Sequence, residues 1–200
     1  MRERTEGPFR LSTIVSKPLR ADARRNREKV LAAAAAAFAE AGLDAQIEDI
    51  ARRASVGVGT VYRHFPTKEA LVAALAEAHF EQLADIVEAA THEDDHWQAF
   101  SRALWRCAET TAGDVALCEI IGGHPSAVQA AATGQQRLQA AVATLIDGAR
   151  AQGTMREDAG VRDVQTIMCG FGHVAGAQRA GGPQDWRRYL TIALDGLRAR

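Results

Sequence analysis

Residues 46–68 read QIEDIARRASVGVGTVYRHFPTK, and the fold is decided in this stretch. Ile47, Ile50, Ala51 and Ala54 recur at helical spacing, which predicts a short helix over residues 46–54 with one apolar face. Glu48 and Asp49 fall in its first turn, where negative charge complements the helix dipole. Ser55-Val56-Gly57 breaks the period and lets the chain turn sharply. A second helical period covers residues 58–65, with Val61 and Phe65 four apart on the side to be buried. Pro66 ends it, because the residue before a proline is steered away from helical geometry. Two short helices joined by a three-residue turn make a helix-turn-helix, whose second helix can enter a DNA major groove. Burying Val61 and Phe65 leaves Thr60, Tyr62, Arg63 and His64 outside, with hydroxyl, guanidinium and imidazole groups that suit phosphates and base edges.

The residue order carries a resemblance as well. Ile50-Ala51, followed by Gly59-Thr60-Val61-Tyr62-Arg63-His64-Phe65-Pro66-Thr67-Lys68-Glu69-Ala70-Leu71, resembles the DNA-binding signature of TetR-type repressors, I-A…G-T-L-Y-x-Y/H-F-x-[SN]-K-E-x-L. So long a match at fixed spacing is far more specific than a bare helix-turn-helix pattern. The resemblance implies an all-α protein: an N-terminal three-helix DNA-binding domain and a larger C-terminal helical domain for ligand binding and dimerisation. It implies that Thr60 and Arg63 face the bases while Tyr62, His64 and Lys68 bond phosphates, with Val58 and Gly59 completing the reading helix. Gln46 stands where the family often has a phosphate-bonding Thr, and its amide can do the same. Ser55 stands where a turn Gly is common and implies a left-handed backbone there; Gly57 replaces the usual capping Ser.

Composition fits this reading through its distribution. The 200 residues are 47% hydrophobic and 24% charged, with a net charge of −1, which does not by itself advertise a nucleic-acid binder. Through Lys68 there are 13 Lys and Arg against 8 Asp and Glu; beyond it there are 11 against 17. A basic front and an acidic back confine DNA contact to one end. Cys107, Cys118 and Cys169 are odd in number and widely spaced, unlike a secreted disulfide framework or a zinc cluster. With no apolar run of membrane-spanning length and no signal-peptide pattern, the expectation is a cytoplasmic protein.

Along the chain, residues 1–22 read as a basic flexible arm, residues 23–68 as the DNA-binding domain and residues 69–200 as the ligand-binding and dimerisation domain. Arg20, Arg24, Arg25 and Arg27 cluster before and into the first helix, expected over residues 24–41, where basic arms reach the DNA backbone or minor groove. Thr67 can cap a long helix running to about residue 90, linking the small domain to the large one. His92 and His96 are four apart with carboxylates between them; on a helix they could hold a divalent metal, and otherwise the run is a solvated loop.

The remainder reads as helices, including one long helix expected from Pro125 to about residue 152. GARAQGTMRED, VRDVQTIMCGFG and LTIALDGLRAR resemble the C-terminal domain of SbtR-like members of the same family. This implies that the last two helices pair with their copies in a second subunit, through Gly172, Ala175, Trp186, Tyr189, Leu190, Ala193, Leu194 and Leu197. It also implies a small ligand between the helices. The lining candidates are Phe100, Leu104, Trp105, Leu117, Ile121, His124, Leu138, Val142, Met168 and Phe171, with His124 to orient the ligand. The expectation is a homodimeric, ligand-released repressor on double-stranded operator DNA, with no cofactor and no enzyme activity. A redox- or metal-responsive regulator using Cys107 and Cys118, or His92 and His96, stands as the alternative.

Overall fold

A computed structural model of the chain describes residues 16–199. Among these are ten helices: α1 (Ser16–Ala41), α2 (Ile47–Arg53), α3 (Val58–His64), α4 (Lys68–Ala90), α5 (His96–Gly113), α6 (Val115–Gly122), α7 (Pro125–Ala130), α8 (Ala132–Ala151), α9 (Val161–Arg179) and α10 (Trp186–Leu197). The described residues form no sheet, only one isolated antiparallel bridge between Met155 and Arg198. The all-α expectation holds. The arm foreseen over residues 1–22 lies outside the described residues up to residue 15, as does the side chain of Arg20. From Ser16 onward the backbone is helical, so the first helix starts well before the expected residue 24.

Helix ends follow their local chemistry. The Thr67 hydroxyl accepts a hydrogen bond from the Ala70 amide at 3.1 Å, and the Asp95 carboxylate accepts one from Gln98 at 2.9 Å, capping α4 and α5. Gly153, at φ +67°, closes α8 in a conformation that side chains with a Cβ rarely adopt. One expectation fails. The single helix from Pro125 to residue 152 is broken at Ala131, whose amide is shared between the carbonyls of Ala127 and Val128. The break turns Ala127 and Ala131 into one core while α8 packs along α4.

Two apolar cores result. One joins α1, α2 and α3 and includes Val30, Phe38, Ile47, Ile50, Val61 and Phe65. It does not stop at Lys68, because Leu71, Val72 and Leu75 of α4, Leu117 and Ile121 of α6, and Ala127 and Ala131 belong to it. The other holds Leu83 and Val87 of α4 together with Trp97, Phe100, Leu104, Leu145, Ile146, Phe171, Trp186, Leu190 and Leu194. Helix α4 thus runs from one core into the other, and α6 and α7 extend the C-terminal half onto the first three helices. A Cβ at Gly134 would stand 3.0 Å from the Glu81 nitrogen and 3.1 Å from the Phe80 carbonyl carbon, so glycine lets α8 lie against the α4 backbone.

Candidate nucleic-acid interface

Helix α2 is fixed to α1 by a fork of hydrogen bonds. Arg53 donates through Nη1 and Nη2 to the two Glu40 oxygens at 2.9 and 2.7 Å, and through Nε to Asp49 at 2.9 Å. The guanidinium holds the Glu40 carboxyl below the usual carboxylate range. Ile47, Ile50 and Ala51 are buried beneath. The turn then passes through Ser55 at φ +55°, the left-handed backbone expected there. Gly57 is the N-cap of α3 in an extended conformation and offers no side chain, so the helix begins at Val58 on backbone bonds, with the Thr60 amide 2.8 Å from the Gly57 carbonyl.

Helix α3 buries Val61 fully, and Phe65 follows it into the core. Its outer face presents Gly59, Tyr62 and Arg63, with Val58 and Thr60 half-buried at its edges. Tyr62 is 47% exposed, one of only three large apolar side chains so exposed among the described residues. Neither Tyr62 nor Arg63 forms a hydrogen bond or ion pair with the described residues.

Other expected contacts stand differently. His64 is half-buried instead of outside, with its ring against Phe65 and its Nε2 buried without a partner. Because Phe65 is drawn into the core, its neighbour is drawn in too. Gln46 is exposed and donates to the Asp44 carbonyl at 2.7 Å. Lys68 donates to the Leu43 carbonyl at 2.6 Å, tying the start of α4 to the turn after α1, with two further N–H groups on its ammonium. Arg24 and Arg25 are exposed on α1 beside Glu28 and Asp22. Arg27 is turned inward over the Phe65 ring at 5.5 Å, with Glu77 3.9 Å away, which makes it a buttress of α3 and not part of a DNA-contacting arm.

In the C-terminal half the ten lining candidates do not come together. Phe100, Leu104, Val142 and Phe171 lie in the C-terminal core, with Trp105, Leu138 and Met168 packed against it. Leu117 and Ile121 belong instead to the core of the first three helices. His124 sits in the turn between α6 and α7, where its Nδ1–H donates to the Ile120 carbonyl at 2.7 Å. That ring nitrogen is satisfied locally, and His124 lies at the core of the first three helices, apart from Phe100. Two open hollows of about 360 and 380 Å³ are lined by other residues, the first by Arg156, Asp163, Ile167 and Leu197, the second by Asp85, Ile86, Arg106 and Glu109.

The dimer candidates divide as well. Trp186, Leu190, Leu194, Leu197 and Ala175 are buried in the subunit's own core, so they are not available as a surface. Trp186 meets Phe171 edge-on at 5.4 Å. Tyr189 covers Gly170 and donates to the Ile167 carbonyl at 2.9 Å. Gly172, with open space where a Cβ would be, and Ala193 are half-buried, while Ile192, which its sequence position did not single out, is 56% exposed. His92 is exposed while the His96 ring packs on Gly148, and no three potential metal ligands cluster among the described residues.

Comparison with known proteins agrees with this geometry. Residues 30–75 match the model for bacterial regulatory proteins of the tetR family, and residues 93–199 match that for the C-terminal domain of SbtR-like transcriptional regulators. A TetR transcription regulatory protein from Mycobacterium vanbaalenii superimposes with TM-score 0.67 at 33% identity, covering 91% of this chain and 100% of that one. A TetR regulator from Streptomyces coelicolor does so with TM-score 0.65 at 33% identity, covering 86% and 98%. A transcriptional repressor of Mycobacterium tuberculosis is 42% identical over 85 residues, 38% of this chain and 44% of that protein. The chain spans less than half the length of the first curated relatives it matches. Those relatives are named as transcriptional regulators and not as enzymes. An exposed reading helix on a buttressed three-helix core, and a helical C-terminal half matched over residues 93–199, place this chain in the TetR family of DNA-binding transcriptional regulators.

Proposed function

We propose that the protein is a homodimeric repressor that binds a near-palindromic operator through α3 and is released by a small molecule held in the C-terminal half. The observation that carries the reading is the outer face of α3, where Tyr62 and Arg63 stand exposed and unengaged on a rigid support. Arg63 and Thr60 read bases, and Tyr62, Gln46 and Lys68 bond phosphates. Two copies joined through the outer sides of α9 and α10 set two readers about one helical turn of DNA apart. Helix α4 carries a C-terminal change to the reader, and a coupling of about 1–3 kcal/mol alters affinity some 5- to 150-fold. Among the described residues no helix is long and apolar enough to cross a membrane, and the protein acts in the cytoplasm, where its DNA is.

Oxidant sensing through Cys107 and Cys118 is disfavoured. Both thiols are free, and burial pushes each up to about 12, which leaves little thiolate to react.

The test is fluorescence anisotropy on the DNA upstream of the protein's own gene, with competitor DNA and a salt series. Tight, competitor-resistant binding is expected. Tyr62→Phe with Lys68→Ala weakens binding to all sequences and flattens the salt dependence. Equal loss across sequences in an Arg63→Ala variant would remove Arg63 from base reading.

A further inference from the structure

The boundary between the two apolar cores is polar at one point. Among the described residues only two polar residues are as deeply enclosed as the core, His79 and Thr111, each 9% exposed, and the His79 imidazole and the Thr111 backbone carbonyl both face Cys118. The Cys118 Sγ stands 3.8 Å from the His79 Nε2 and 4.0 Å from the Thr111 carbonyl oxygen. Three elements therefore meet here: His79 from the middle of α4, Thr111 from the end of α5 and Cys118 from α6. The site lies outside the α3 surface.

We propose that His79 and Cys118 form a binding site for a soft, thiophilic monovalent cation of the Cu(I) type. Bonds of zinc-like length, about 2.3 Å to sulfur and 2.0 Å to imidazole nitrogen, would place the two donors about 3.5 Å apart at a tetrahedral angle and about 4.3 Å apart when linear. The observed 3.8 Å falls between these limits, so an ion fits with little movement of either helix. Thiolate and imidazole are the ligands that soft ions select. With no cluster of three potential ligands among the described residues, the site suits a cation content with two soft donors and not one that needs four.

Charge favours a cation too, because Asp114 stands near both His79 and Cys118, and Glu119 near Cys118. Cys118 is half-buried, less enclosed than His79. Binding replaces the thiol proton, which leaves to water, and no oxidation state changes. An ion held here ties α4 to α6 between the two cores, on the helix that joins them.

The test uses the full-length protein carrying Cys169→Ala, which removes the exposed thiol, in anaerobic competition for Cu(I) against the chromophoric chelator bicinchoninate. One Cu(I) per chain is expected. Cys118→Ala should reduce affinity at least 1,000-fold and His79→Gln about 10- to 100-fold, with X-ray absorption showing one sulfur and one imidazole on the ion. Thermal midpoints should rise with Cu(I) in the Cys169→Ala protein and not in the Cys118→Ala protein. Circular dichroism checks that both variants fold, and if Cys118→Ala does not, His79→Gln alone decides. Unchanged stoichiometry and affinity in the variants would show that the contact is only a weak thiol–imidazole hydrogen bond and would overturn the site. Every readout is made without DNA, so it stands or falls apart from operator binding.

Discussion

Helices α3 and α10 use their large side chains in opposite ways. Helix α3 has seven residues, buries only Val61 among them, and leaves Tyr62 47% exposed. Helix α10 has twelve residues, buries Trp186, Leu190, Leu194 and Leu197, and leaves only Ile192 strongly exposed among its large apolar side chains. A helix meant to touch another molecule carries its recognition groups outward and is held by its neighbours. A helix that completes a core turns them inward, and only what remains outside can meet a partner. An apolar residue on a helix therefore does not announce an interface; only one left exposed in the folded subunit is free to join one.

The comparison is tested most severely in the cores. Phe38→Ala and Phe171→Ala each remove a fully buried ring and should cost about 3–5 kcal/mol. Denaturant unfolding followed by circular dichroism would measure both. Because α4, α6 and α7 join the two cores, each substitution is expected to shift a single cooperative transition. Two separated transitions would show that the cores are independent.

On the outer surfaces, Ile192→Arg should leave folding intact and shift the protein toward monomer in light scattering, since it places a charge on the exposed apolar position of α10. An unchanged dimer would move the interface elsewhere. Arg63→Ala should cost about 1–3 kcal/mol on the preferred operator and much less on unrelated DNA, read by anisotropy titration. Gly134→Ala should cost about 1–3 kcal/mol by pushing α8 away from the α4 backbone, measured as a lowered unfolding midpoint. Ser55→Gly should act in the other direction and least. Relief of a left-handed residue is worth roughly 1–2 kcal/mol, and the added chain freedom costs about 0.5–1, so a gain of about half a kcal/mol is expected.

Much of the reader was legible because its information is local. The spacing of Ile47, Ile50, Val61 and Phe65, the stop at Pro66 and the Thr67 cap each act within one or two turns, and the helices formed where these residues place them. Even the left-handed backbone at Ser55 followed from comparing one residue with a family pattern. The misreadings lie where a side chain's neighbour is far away in sequence. Arg27 looked like part of a basic arm until Phe65 and Glu77 were found against it. The hydrogen bond of the His124 ring to the end of its own preceding helix was equally silent in the sequence. His79 gave no signal at all, because a lone histidine in an apolar helix is indistinguishable from core until Cys118, 39 residues on, is brought to it.

By itself, then, the sequence determined the all-helical fold, the helix-turn-helix and the chemistry of the side chains at its tip, since hydrophobic period, caps and proline stops act over a few residues. The tertiary structure decided which apolar side chains remain outside, where the two cores meet and which polar groups are enclosed between them. Those properties depend on contacts between helices distant along the chain, and a helical stripe reads the same whether it faces a neighbour in its own subunit, a ligand or a second copy.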